Sequence, residues 1–224
     1  MFINVYKASF NAWGGGVDKQ ECCEVFFNNE EVYTGEQVSK YTGDSERFEI
    51  MLLDDSLYEQ GLSVHFVIDS SEYNRNFSYS KTGPTAGKYS VKIPVSMTPG
   101  VYQIVIQVIN SNDQILFERA HIVNVKSTIN FIGFVGGTDT GDIRSKYYGD
   151  TSRKLEVHCV SDKISQYEQT NITFNIHGTF YSRVMENGIA YLGINLSNGE
   201  YIVTVTSPLN GETITENITI IPSE

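Results

Sequence analysis

The sequence predicts an all-β protein, a tandem of two β-sandwich modules, and three observations carry that prediction. First, a nine-residue string is written twice. Ser39-Lys40-Tyr41-Thr42-Gly43-Asp44-Ser45-Glu46-Arg47 returns as Ser145-Lys146-Tyr147-Tyr148-Gly149-Asp150-Thr151-Ser152-Arg153, with six of the nine positions identical. Second, apolar residues alternate with polar ones at period two along most of the chain, and no 3.6-residue period competes with that pattern. Third, Gly- and Asn-bearing turn signals break the alternation at short intervals. A repeat on this scale indicates repeated modules before any single residue is read.

The strands follow in order. Phe48/Ile50/Leu52, Val64/Phe66/Ile68 and Tyr102/Ile104/Ile106/Val108 mark half-buried strands of the first module. Leu155/Val157/Cys159, Ile172/Phe174/Ile176 and Tyr201/Val203/Val205 repeat them in the second, and Ile218/Ile220 close the chain. Turns are expected at Thr82-Gly83-Pro84, Pro99-Gly100, Asn187-Gly188, Asn198-Gly199 and Asn210-Gly211, the last as a hairpin. In the doubled string, Gly43 and Gly149 permit a turn, and Asp44 and Asp150 can accept backbone N–H bonds within it. Gly100 and Gly199 stand two residues before Tyr102 and Tyr201. That spacing predicts tyrosine corners, with the ring buried and the hydroxyl bonded to nearby backbone.

The repeat sets the expected boundaries: module one at 38–126, a linker at 127–142 and module two at 143–224. The linker begins apolar, so a strand leading into it is also open. Residues 1–37 have no counterpart and are expected to form an N-terminal extension or assembly arm. They hold Trp13, Gly14-Gly15-Gly16, the pair Cys22-Cys23 and the apolar Phe26 and Phe27. Trp13, Phe26 and Phe27 are therefore candidate contacts to other protein subunits. An apolar, Gly-bearing extension is more often packed on its own module, where it can add strands, and docking as an arm is the other reading.

The 224 residues are 40% hydrophobic and 12% aromatic, enough for packed cores. With 27 acidic against 16 basic residues the formal charge is −11, which argues against a nucleic-acid partner. The three cysteines form no disulfide framework and no zinc pattern, and Cys159 is expected in a core. No run approaches 18 consecutive apolar residues, so no membrane-spanning helix is expected. The stretch Met1-Phe2-Ile3-Asn4-Val5-Tyr6-Lys7 does not read as a signal peptide.

No catalytic constellation emerges. His65, His121, His158 and His177 are scattered, with His158 expected at the surface. No nucleophile elbow, zinc-protease motif or phosphate loop is present, so neither catalysis nor a cofactor is expected. Asp139-Thr140-Gly141-Asp142 has the oxygen ligands calcium needs, but reads as a solvated loop, and no metal site is assigned. Tyr41, Tyr147 and Tyr148 are the aromatic candidates for a sugar-stacking or partner surface.

Residues 144–222 resemble the immunoglobulin-like repeats of adhesin-like surface proteins of methanogenic archaea. The likeness is carried by Lys146-Tyr147-Tyr148, the run Thr173 to Arg183, Glu186 to Leu192, Ile194-Asn195-Leu196, Gly199 to Thr204 and Asn217 to Pro222. The resemblance implies immunoglobulin-like sandwiches and a non-catalytic structural or recognition role. Two locations follow: a virion surface (decoration, tail or fibre of a virus of such an archaeon), which needs no export signal, or the cell surface. The virion is the expectation taken forward, with a cell-surface adhesin fragment and a carbohydrate-binding module as alternatives. The partners implied are protein subunits of a surface assembly, with cell-wall glycan or a host surface also open.

Overall fold

The computed structural model describes residues 22–68 and 71–223. In the first half the strands are β1 (Cys23–Phe27), β2 (Glu30–Glu31), β3 (Gln37–Tyr41), β4 (Arg47–Leu52), β5 (Ser63–Ile68), β6 (Ser71–Asn76), β7 (Ser78–Tyr79), β8 (Tyr89–Pro94), β9 (Gly100–Ile109) and β10 (Ile115–Lys126). They form two five-stranded sheets, ordered β2-β1-β4-β8-β7 and β3-β10-β9-β5-β6. The second half holds β11 (Ile129–Val135), β12 (Ser145–Tyr147), β13 (Lys154–Cys159), β14 (Asn171–Ile176), β15 (Thr179–Val184), β16 (Ile189–Leu192), β17 (Gly199–Thr206) and β18 (Thr213–Ile221). These form a sheet β11-β13-β16 and a sheet β12-β18-β17-β14-β15.

Alternation along each strand turns one row of side chains inward. β4, β5 and β9 point Phe48, Ile50, Val64, Phe66, Ile104 and Ile106 into one cluster between the first two sheets. β13, β14 and β17 point Leu155, Val157, Ile172, Phe174, Val203 and Val205 into another between the second two. A short strand pairs in parallel with the last strand of each half, Tyr41 opposite Lys126 and Tyr147 opposite Ile221. All other pairings among the described strands are antiparallel. This is the strand order of immunoglobulin-like sandwiches, and the fold is all-β as expected.

The tyrosine corners form, with hydroxyls bonded to backbone and rings partly buried. The Tyr102 hydroxyl donates to the Thr98 carbonyl and that of Tyr201 to the Ser197 carbonyl, each at 2.9 Å. A Cβ on Gly100 would sit 3.2 Å from the Tyr102 ring, so the ring closes over a residue without a side chain. The Asn210-Gly211 hairpin joins β17 to β18, and Cys159 is buried.

Both segments outside the repeat contain strands. Within residues 1–37, Cys23–Phe27 pairs along β4 and sends Val25 and Phe27 into the core, which is packing on its own module. Residues 1–21, with Trp13 and the glycine run, lie outside the described residues. The expected linker contains β11, paired antiparallel with β13. This is the strand that the apolar start of the segment left open, and its alternation is broken because the register shifts between Phe131 and Gly133. Gly133 (φ +128°) holds the bulge, and a Cβ there would lie 2.5 Å from the Ile143 carbonyl oxygen.

Candidate functional site

The doubled string covers the end of each half's parallel strand and the turn after it. In both copies the aspartate N–H donates to the tyrosine carbonyl at 3.2 Å, Asp44 to Tyr41 and Asp150 to Tyr147. The glycine between them has φ +84° at Gly43 and +80° at Gly149, which explains its repetition.

The repeated lysine is buried. Lys40 reaches across its sandwich and donates to the carbonyls of Val95 (2.8 Å), Asp44 (2.5 Å) and Glu46 (3.3 Å). Lys146 does the same to Ile194 (2.9 Å) and Arg153 (3.2 Å). Each ammonium ties a strand of one sheet to the chain leaving the facing sheet, because Val95 follows β8 and Ile194 follows β16. Burial lowers the pKa of both. The repetition of lysine is therefore a framework feature, one that composition alone hides because lysine is ordinarily a surface residue.

The two turns then part company. At the first, the Lys163 ammonium donates to Asp44 Oδ1 at 2.5 Å and lies 5.2 Å from the Tyr41 ring centroid. The Tyr41 hydroxyl donates to Asp162 Oδ2 at 3.1 Å, and the Asn210 amide to the Thr42 carbonyl at 2.9 Å. The first turn is thus a socket filled by the second half. Tyr41, a candidate for an open aromatic surface, is engaged in that junction.

At the second turn the aspartate is satisfied locally. Asp150 accepts from the Ser152 hydroxyl (2.6 Å) and from the N–H groups of Thr138, Ser152 and Arg153, and these donors hold its carboxyl well below the usual range. Arg153, also buried, donates to the carbonyls of Ser145, Gly136, Thr138 and Asp142. Tyr147 and Tyr148 line a shallow hollow of about 290 Å³ with Thr138, Asp150 and Ser223, and Tyr148 is 49% exposed. Of the aromatic candidates, these two face outward together.

The other candidates are placed separately. Phe27 is buried, its ring 5.0 Å from that of Phe48, and cannot meet a partner; Phe26 is half-buried on the same strand. Trp13 lies outside the described residues. His158 pairs with Glu156 beside it. His121 is buried instead, its ring 5.2 Å from Phe48, and burial with the nearby Arg119 guanidinium lowers its pKa to about 4. Asp139 Oδ1 accepts from the Gly141 N–H and Asp142 Oδ1 from the Arg144 N–H, so both carboxylates cap their own loop. Among the described residues no cluster of His, Cys, Asp and Glu gathers as a metal site.

No family model and no curated protein matches this chain. Among solved structures it is similar to a chimeric titin Z1Z2-Z1Z2 tandem functionalized with a peptide from fibronectin. The identity is 14%, covering 89% of this chain and 100% of that one, with a TM-score of 0.33. It is similar to the fibronectin(III)-like modules of Clostridium thermocellum CbhA at 13% identity, covering 88% and 94%, with a TM-score of 0.26. Extracellular domains 3–5 of Drosophila OTK share 12% identity, covering 91% and 98%, with a TM-score of 0.28. Likenesses this distant carry no argument about function, and the fold rests on the strand order itself.

Proposed function

We propose that the chain is a non-catalytic recognition and display protein made of two immunoglobulin-like modules joined at a braced elbow. The observation that carries this reading is the divided use of one turn. The first copy is buried against the second half through Asp44 and Lys163, while the second presents Tyr147 and Tyr148 outward. Such an arrangement stiffens a two-module arm and leaves its far end for contact. The finer assignment, a virion protein of a virus of a methanogenic archaeon, rests on the resemblance of residues 144–222 to surface-displayed repeats. A cell-surface adhesin-like fragment is the alternative on the same support. Immunogold labelling of intact particles and intact cells with an antibody to the full chain tests both. Label on either surface supports display, and label confined to the cell interior rejects it.

A further inference from the structure

Each half carries a tyrosine and, two residues on, an arginine on the outermost strand of the sheet that holds its parallel pair. β6 opens Ser71-Glu72-Tyr73-Asn74-Arg75, and β15 opens Thr179-Phe180-Tyr181-Ser182-Arg183. The registers agree: Tyr73 stands opposite Phe66 and Arg75 opposite Val64, while Tyr181 stands opposite Phe174 and Arg183 opposite Ile172. Period two places each Tyr–Arg pair on the inward side of its sheet, at the open margin. There Tyr73 lies nearly parallel to Phe66, with centroids 5.0 Å apart and planes 15° apart, and it remains 47% exposed. In the first half this margin opens into a groove of about 420 Å³, lined by Tyr73, Arg75, Ser96, Met97 and Tyr102 above Phe66.

The arginines complete the chemistry. Both are exposed, and among the described residues neither is paired with a carboxylate; Arg183 donates only to the neighbouring Ser182 carbonyl, at 2.6 Å. In a chain with 27 acidic and 16 basic residues, two cations with no carboxylate partner among the described residues are available to an external anion. A guanidinium fork matches a carboxylate in two-point geometry. A flat ring beside it offers its face to the C–H side of a pyranose. The same pair occurring twice suits a ligand that repeats its own unit. The net charge of −11 opposes a dense polyanion, so the match is to a polymer whose acidic rings are spaced by neutral ones.

The geometry points to a duplicated binding site, at the β6 and β15 margins, for a sparsely charged uronate-bearing polysaccharide. This rests on the recognition reading above and names its ligand class. The test is affinity electrophoresis of the full chain in gels containing hyaluronan, partly esterified pectin, neutral dextran or poly-glutamate. At least one of the two uronate polymers retards the wild type, and dextran and poly-glutamate do not. Arg75→Gln weakens retardation about tenfold, and Arg75→Gln with Arg183→Gln weakens it by more than about a hundredfold as the two-site advantage is lost. Circular dichroism of both variants stays unchanged, since the side chains are exposed. Three results overturn the proposal: no retardation by either uronate polymer, an undiminished effect in the double variant, or a preference for poly-glutamate. Self-association of the double variant with unchanged retardation also overturns it, since the arginines then only guard the sheet edges. Positive surface labelling alongside any of these results leaves the display reading standing with a different ligand.

Discussion

Lys163 reaches Asp44 across the junction at 2.5 Å, and the two residues are 9% and 21% exposed at their side chains. The cation has largely left water and the anion in part, so each depends on the other for its charge to be met. The pair is reinforced by Tyr41 bonding to Asp162 and Asn210 bonding to the Thr42 carbonyl. A single turn of the first half thus meets three side chains of the second.

Lys163→Ala is expected to cost about 1–3 kcal/mol at the junction. Its readout is calorimetric: the halves unfold together in the wild type and separate into two transitions in the variant. One unchanged transition contradicts the braced elbow.

Lys40→Met and Lys146→Met strip the ammonium from buried carbonyls and should each destabilise by about 2–4 kcal/mol. Urea unfolding measures this. A cost near zero shows that the carbonyls found water instead.

Arg47 and Arg153 occupy the same place in the doubled string and should answer substitution differently. Arg153→Lys loses a fork that serves four carbonyls and is expected to cost about 2–3 kcal/mol. Arg47→Lys loses a side-chain contact to Glu49 at a partly exposed position and should cost under about 1 kcal/mol. Parallel thermal melts decide the comparison.

His121 predicts an acid sensitivity of the first half. The unfolded chain takes up a proton below pH 6.5, while the folded one refuses it until about pH 4. Stability therefore falls as pH drops through that window, by roughly 2–3 kcal/mol, and levels off beneath it. Urea midpoints between pH 7 and 4 should show this slope, and His121→Phe should flatten it.

Tyr201→Phe keeps the ring and removes one bond to the Ser197 carbonyl, for an expected loss of about 1 kcal/mol. Tyr102→Phe should behave alike if the two corners are equivalent. Chemical denaturation of each variant gives the comparison.

Strands and corners were legible because inward rows such as Val64/Phe66 and Ile172/Phe174 obey period two without interruption. The strand Ile129–Val135 was legible only as an open alternative, because its bulge at Gly133 spoils that period. Cys23–Phe27 lacks a repeat partner, so only its apolar residues argued for packing on the module it completes. The buried lysines were hidden by the ordinary preference of their residue type for solvent. The Tyr–Arg pairs on β6 and β15 escaped because Ser70 to Lys92 differs in length from its counterpart, and only the ladder register aligns them. Exposure of Tyr147 and Tyr148 depends on which half fills which turn, and that is a property of assembly.

Asp44 needs a lysine from elsewhere, and Asp150 needs nothing. That difference makes the tandem non-commutative. The loop of the first half that corresponds to the one bearing Lys163 runs Asp54-Asp55-Ser56-Leu57-Tyr58-Glu59-Gln60 and holds no lysine. Written in the opposite order, the same two halves would set acidic residues against an already saturated aspartate, with no bond gained at the join. The chain has a reading direction, and a rearranged gene encoding identical halves would produce two beads on a string where this one produces an arm.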